Sequence, residues 1–471
     1  MQTNILNNDT ICAIATPHGM GAIATVRVSG AKAFPIVASL FQHRGKFLEI
    51  SEIVSHKAYH GHLINKGELL DEVLVTFFKA PHSFTGEDSA EISVHGSVFV
   101  QQKLLQVLIA NGCRMAEAGE FTRRAFVNGK FDLAQAEAIA DLISSESEAA
   151  HRVAINQLRG GFSKELQVLR SKLLEMTSLM ELELDFSEED VEFADRSQLK
   201  ALLQEALDKV NRLKDSFRLG NAIKNGVPVA IVGQTNTGKS TLLNALLGED
   251  RAIVSDIAGT TRDTIEETLN INGILFRFID TAGLRETEET IEKIGIERSY
   301  RKIAEATVVI GMLDATKDTE NLLLAAHEIL ERIDLEHQQL ILCINKVDTL
   351  DDQGEALLGR LRTDLDNDEI MVICLSAKHK FGLNDLYNTL KHSQPLSYPD
   401  ATLVTNVRHY EALLHASESL SQVQQGLEMN IPTDLVSQDL RQALHYLGSI
   451  TGEITTDEVL GSIFSRFFFF F

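Results

Sequence analysis

A chain of 471 residues, 44% of them hydrophobic, is long enough for about three domains of ordinary size. No apolar run approaches a membrane span, and the N-terminus has no basic segment leading into an apolar stretch, so neither a membrane-spanning nor a secreted protein is expected and the chain reads as cytoplasmic. With a formal net charge of −23 it does not attract nucleic acid through its overall field, and any RNA contact has to come from a local basic patch or from a partner.

Residues 11–14, 23–28 and 73–78 have the apolar patterning of strands, and Gly19, Gly21, Gly61, Gly67 and Gly86 supply turns between them. Residues 1–125 are therefore expected to form a separate α+β domain. Two segments, Pro-His-Ser-Phe-Thr-Gly-Glu-Asp at 81–88 and Gly-Glu-Phe-Thr-Arg-Arg-Ala-Phe at 119–126, carry more charge and more hydroxyls than turns need. A ligand site and capped helix starts use the same residue types, and both remain open here.

Only seven prolines occur, and none lies between Pro81 and Pro228. Within that gap Leu166, Leu169, Leu173, Met176 and Met180, then Leu199, Leu203, Ala206, Val210, Leu213 and Phe217, step by three and four, which predicts long amphipathic helices in 126–222. Past a linker flanked by Pro395 and Pro399, the same spacing returns in 394–471 at Leu413, Ala416, Leu420, Val423 and Leu427, then at Leu440, Leu444 and Leu447. The economical arrangement is one discontinuous helical domain into which residues 223–393 are inserted, separate bundles on each side being the alternative. Cys12, Cys113, Cys343 and Cys374 are scattered through apolar runs, as buried thiols would be, not as a zinc site or a disulfide framework.

The inserted segment carries the chemistry. Residues 233–240 read Gly-Gln-Thr-Asn-Thr-Gly-Lys-Ser, directly after the apolar run 229–232 and before the helical pattern of Leu242, Leu243, Ala245 and Leu246. In that context glycines let backbone N–H groups wrap a phosphate, a helix N-terminus adds its positive dipole end, Lys239 reaches the terminal phosphates and Ser240 ligates magnesium. Asn236, Thr237, Gly238 and Thr241 complete this contact set. A polar loop follows, Asp-Ile-Ala-Gly-Thr-Thr-Arg-Asp at 256–263, whose Thr261 hydroxyl can complete the magnesium shell, and Ser255, Asp256, Ile257, Ala258, Gly259, Thr260 and Thr261 are its expected nucleotide contacts. The strand 275–279 then delivers Asp280, Thr281, Ala282 and Gly283, a carboxylate for magnesium through water and an N–H to sense the terminal phosphate. Asn345, Lys346 and Asp348 follow the run 340–344, and the Asp348 carboxylate can accept two hydrogen bonds from the N–H edge of guanine, which adenine lacks. Ser376, Ala377 and Lys378 follow the strand 371–375 and buttress the base. In this order and at β/α spacing these elements predict a guanine-specific GTPase on a doubly wound sheet.

Leu284 occupies the place where a glutamine could orient the attacking water. A carboxylate is the natural substitute, and Glu286, Glu288, Glu289 and Glu292 lie within reach along the chain. The side-chain oxygen of Asn236 beside the phosphates points to a monovalent cation in place of an arginine finger.

Several separate segments resemble one family. They are residues 9–17, 27–30, 83–88, 119–122 and 124–142, the GTPase motifs, and Ile-Thr-Gly-Glu at 450–453, and in order, nearly end to end, they are similar to the tRNA modification GTPase family known as MnmE or TrmE. The resemblance implies a multidomain α/β protein with an N-terminal domain that binds tetrahydrofolate and dimerises, a discontinuous helical domain and an inserted potassium-stimulated P-loop GTPase. It implies a homodimer whose GTPase domains meet face to face, opening and closing with hydrolysis. It further implies work with a flavin- and NADH-using partner of the MnmG type, as a heterotetramer or larger complex, on the wobble uridine of certain tRNAs. By the same resemblance Arg27, Glu91 and Lys130 hold a 5-formyl or 5,10-methylene tetrahydrofolate, Asn236 binds K+ with the backbone of Ser255 and Ile257 and with Thr260, and Glu292 orients the water; Lys239 and Thr261 share the catalytic role, with Mg2+ on Ser240 and Thr261.

The chain departs from the family at its end, where Phe467 is followed by four more phenylalanines in place of Cys-Ile-Gly-Lys. A phenyl ring is neither nucleophile nor acid, so the expectation is that the modification step fails while GTP hydrolysis persists. Two other functions share parts of this pattern. A ribosome-assembly switch uses the same phosphate loop but expects a basic RNA-binding domain, and a folate-dependent one-carbon transferase would act without a flavoprotein.

Overall fold

The computed structural model describes residues 9–185, 196–250, 267–271, 273–279, 306–335, 338–350, 370–392, 402–429 and 431–454, with Thr363, Leu460 and Ile463. The chain divides into two compact units, one made of Met1–Ser144, Ala154–Arg212 and Glu411–Phe471, the other of Ser145–Val153 and Leu213–Tyr410. Among the described residues no helix is long and apolar enough to cross a membrane.

In the first unit the strands are β1 (Thr10–Ile14), β2 (Ile23–Ser29), β3 (Phe41–His43), β4 (Lys46–Phe47), β5 (Ala58–Asn65), β6 (Glu68–Phe78), β7 (Ser89–His95) and β8 (Cys113–Met115). They form one sheet in the order β4-β3-β5-β6-β7-β2-β1-β8, antiparallel except for the β1/β8 pair. Alternation decides its two faces. Val26, Val28, Ile92 and Val94 turn to one side and pack with α1 (Ala33–Leu40) and α2 (Val98–Ala110) in the core, while Ile11 and Ala13 turn to the other and meet Phe121 of α3 (Glu120–Val127). Arg27 and Glu91 fall on that second face, because each lies one residue out of step with the core positions of its strand.

Four helices follow, α4 (Leu133–Ile143), α5 (Glu148–Leu158), α6 (Gly161–Asp185) and α7 (Arg196–Asp215). The start of α4 carries a capping box, with the Asp132 side chain accepting from the Gln135 amide and the Gln135 side chain returning to the Asp132 amide. The stripes Leu166 to Met180 on α6 and Leu199 to Leu213 on α7 are buried, as their spacing requires. The stripe beyond Leu213 is not one helix, however. Ser216 breaks it: its hydroxyl donates to the Leu213 carbonyl at 2.6 Å and accepts the Val404 amide at 3.1 Å, and a new helix, α8 (Phe217–Asn225), begins after it.

The second unit holds β9 (Val227–Gly233), α9 (Lys239–Asp250), β10 (Glu267–Ile271), β11 (Ile274–Phe278), β12 (Val308–Asp314), α10 (Thr319–Leu330), β13 (Gln339–Asn345), β14 (Met371–Cys374) and α11 (Leu383–His392). The strands form one sheet in the order β10-β11-β9-β12-β13-β14, parallel apart from β10. Both faces are buried, which is why its central strands read as continuous apolar runs. Val229 and Ile231 pack with Leu242, Leu246 and Leu386 from α9 and α11, whereas Ala230 and Val232 pack with Leu322 and Ala326 of α10.

Two helices, α12 (Val407–Glu428) and α13 (Thr433–Thr451), follow the linker, and α13 packs along α6. Ser417 of α12 donates to Asn211 of α7 at 2.8 Å, so helices from before and after the insertion share one body. Cys12, Cys113 and Cys343 are buried and Cys374 is half-buried, none of them in a disulfide.

Candidate functional site

The phosphate loop leaves the end of β9 and enters α9. At Gly233, φ is +145° and a Cβ would stand 2.4 Å from the Met312 carbonyl oxygen, while at Gly238, φ is +97° and a Cβ would stand 2.2 Å from Asn345 Nδ2, so no other residue fits either position. Thr237 is buried and donates to the Gln234 carbonyl at 2.9 Å. Lys239 folds back over the loop, its Nζ donating to the carbonyls of Gly233 at 2.8 Å and Gln234 at 2.9 Å, and burial lowers its pKa. Asn236, Ser240 and Thr241 present exposed side chains around the same turn.

The residues expected to read the base stand at the carboxyl ends of β13 and β14, where open α/β sheets bind ligands. Asn345 is 3% exposed and joins three segments, donating to the Thr237 carbonyl at 2.7 Å and accepting the Ala377 amide at 2.9 Å. A hydrogen bond from Ser376 holds the Asp348 carboxyl below its ordinary pKa, and His379 Nε2 lies 3.5 Å from it. Lys346 pairs with Asp314 at 2.7 Å. Burial pushes the Asp314 carboxyl up, but Lys346 and Thr316 outweigh it and leave its pKa lowered. Asp314 is a residue the sequence reasoning missed, and its signal was a carboxylate at the end of an apolar strand.

Ser255, Asp256, Ile257, Ala258, Gly259, Thr260, Thr261, Asp280, Thr281, Ala282, Gly283 and Glu292 lie outside the described residues, as does the tail from Phe467. Of the cation ligands expected from sequence, the structure thus places Asn236 and Ser240, both neutral oxygen donors of the kind that hard cations take.

On the N-terminal sheet the register sets Arg27 opposite Glu91, and the guanidinium meets that carboxylate at 2.9 Å. The same guanidinium lies 4.7 Å from the centre of the Phe84 ring and 5.6 Å from that of Phe121. Lys130 donates to the Pro81 carbonyl at 2.9 Å. Two of the three expected ligand residues therefore touch each other, and Arg27 and Lys130 both touch the segment 81–88.

A doubly wound sheet with a phosphate loop after β9, tied by Asn345 to the loop at Ala377 beyond β14, defines a P-loop GTP-binding protein. A family profile for the GTP-binding protein TrmE N-terminus matches residues 10–130, and one for the MnmE helical domain matches 133–467. The tRNA modification GTPase MnmE of Bacteroides fragilis is 52% identical over 98% of this chain and 99% of its own length, and those of Bacteroides thetaiotaomicron and Flavobacterium johnsoniae are 51% and 50% identical over the same shares. The chain belongs to the tRNA modification GTPase MnmE family. Among solved structures, Era in complex with MgGDPNP and nucleotides of 16S ribosomal RNA covers 41% of this chain and 66% of its own at 29% identity, with a TM-score of 0.28 too low to argue from.

Proposed function

We propose that the chain is a potassium-stimulated GTPase that works, with a flavin-dependent partner of the MnmG type, on the 5-position of the wobble uridine of certain tRNAs, using a one-carbon unit from tetrahydrofolate. The observation that carries the nucleotide half is the Asn345 bridge, which makes the phosphate loop and the base-reading loop one object. A ligand with phosphates at one end and a guanine edge at the other spans that object.

Each residue then has a task. Lys239 leaves its loop carbonyls for the terminal phosphates, an exchange that its desolvated ammonium favours because it gains a charged partner. Asp348, held ionised by Ser376, accepts from the guanine N–H edge. Ser240 with Thr261 would hold Mg2+, and Asn236 with Ser255, Ile257 and Thr260 would hold K+; bound there, the two ions supply positive charge beside the phosphates. Glu292 orients the water in place of the glutamine that Leu284 replaces. In the N-terminal domain, 1–125, Arg27, Lys130 and Glu91 offer two cations and one carboxylate, which suit the carboxylate tail and the N–H donors of a reduced pterin. Segments 126–222 and 394–471 form one helical domain into whose sequence a GTPase at 223–393 is inserted, in a cytoplasmic homodimer.

The deciding experiment measures GTP turnover of the purified chain in potassium and in sodium, with 5-formyltetrahydrofolate binding and recovery of a flavoprotein as companion readouts. Hydrolysis at least about tenfold faster in potassium is expected. Equal turnover in the two salts removes the cation role, and absence of both companions leaves a switch GTPase without modification chemistry.

A further inference from the structure

Among the described residues the most buried carboxylate is that of Glu120, 1% exposed, at the start of α3. Arg114 grips it with two nitrogens at 2.7 and 3.0 Å, and Arg124, itself 8% exposed, adds a third contact at 2.9 Å. The free edge of the Arg124 guanidinium continues to both oxygens of Glu87 at 3.2 Å and to Asp9. Glu87 accepts in turn from Ser29 of β2 at 2.8 Å.

Glu87 belongs to the segment 81–88, which lies outside every strand and helix and is fixed mainly by side chains that reach it. Its Phe84 ring backs the Arg27 guanidinium, and its Pro81 carbonyl receives Lys130. Whatever moves this segment moves the surroundings of both cations. Arg124 touches neither of them, yet it is the charged group that ties the segment to the body of α3.

We propose that Arg124 is a positioning residue for the tetrahydrofolate site: by holding Glu87 it sets the segment 81–88 so that Arg27 and Lys130 face a ligand bearing carboxylates. The proposal rests on the folate assignment made above. Arg124 makes the contact through a charge-assisted pair whose guanidinium is buried, so its loss leaves a charged group short of a partner. Glu120 takes up the other edge of the guanidinium, leaving it one orientation.

The test uses the full chain, with 5-formyltetrahydrofolate as the probe in titration calorimetry and amide hydrogen exchange to follow residues 81–88. Arg124→Gln and Glu87→Gln are each expected to raise the Kd about tenfold or more and to speed exchange in 81–88, with GTP hydrolysis unchanged. Because the two act through one contact, the double variant is expected to bind no worse than Arg124→Gln alone. Wild-type affinity in Glu87→Gln, or losses that add in the double variant, overturns the proposal. Should Arg124→Gln not fold, Glu87→Gln decides by the same readouts, since Glu87 is 22% exposed and glutamine keeps the Ser29 hydrogen bond. Failure of the wild-type chain to bind the probe removes the folate assignment and this proposal with it. Loss of binding in Arg27→Ala with both glutamine variants intact removes this proposal alone.

Discussion

Asn345 donates through Nδ2 to the main-chain carbonyl of Thr237 at 2.7 Å, joining residues 108 positions apart in the chain. Its Oδ1 accepts from the Ala377 amide at 2.9 Å, so one side chain sets the distance between the phosphate loop and the loop at Ser376–Lys378. Asn345→Ala removes both bonds and leaves two buried main-chain groups without partners, each costing about 1–3 kcal/mol. Affinity for GDP and GTP is expected to fall by about 100-fold, as read by titration with a fluorescent guanine nucleotide. A variant that binds within twofold of the parent would show that the two loops hold their spacing without it.

The buried cluster around α3 gives the stability of the N-terminal domain a pH dependence. Burial pushes the Glu120 carboxyl up, but hydrogen bonds from Arg114, from the Glu117 amide and from Arg124 outweigh it and hold its pKa below the ordinary 4.5. The hydrogen bond from Arg114 likewise holds Asp9 below 3.8. Carboxyls with depressed folded values stabilise the fold fully above their ordinary values and lose that contribution as pH falls through the folded ones. Glu120→Gln is therefore expected to cost about 3 kcal/mol at neutral pH, by breaking a buried pair, and the gap to the parent should narrow below pH 4.5. Denaturant titrations at pH 7 and pH 3.5 read both numbers; a gap that stays constant across that range would place the stabilisation in packing, not in charge.

Leu284 stands where a glutamine could align water, and the proposed function gives that work to Glu292; both lie outside the described residues. Glu292→Ala is expected to keep GTP affinity within about threefold and to lower kcat by about 100-fold, the ordinary scale for removing a general acid–base group. Stopped-flow nucleotide binding beside steady-state phosphate release separates the two. Undiminished turnover would move the role to Glu286, Glu288 or Glu289.

Much of the GTPase could be read in advance because its physics is local. Continuous apolar runs at 229–232 and 340–344 became β9 and β13, strands buried on both faces, and the phosphate loop and the segment from Lys346 to Asp348 leave the ends of those two strands, as the sequence order requires. What stayed hidden is chemistry between residues far apart in the chain. Asp314 answers Lys346 across 32 positions and Glu87 answers Arg124 across 37, and no spacing rule announces such pairs. Glu120 and Arg124 stand four apart, a helical spacing that ordinarily marks a solvated face, whereas here both are buried against the underside of the sheet. The break at Ser216 escaped for the opposite reason. The apolar stripe passes through it in phase, and only the Val404 amide arriving from 188 positions away makes the serine a stop.

The final residues bear on the modification half of the function. By the resemblance, positions 468–471, all phenylalanine here, stand where the family carries Cys-Ile-Gly-Lys, and that cysteine is the implied candidate for the modification chemistry. A phenyl ring offers no thiolate to form a bond, no proton to move and no charge to meet a ligand carboxylate. On the function proposed above, GTP hydrolysis uses residues of 223–393 and needs none of these groups. The chain as it stands is therefore expected to hydrolyse GTP normally and to modify tRNA, in the presence of its flavoprotein partner, at least about 100-fold more slowly than the variant Phe468→Cys/Phe471→Lys. Nucleoside mass spectrometry of tRNA after a timed reaction measures the difference. Equal modification by the two chains would assign the chemistry to a residue other than the terminal thiol.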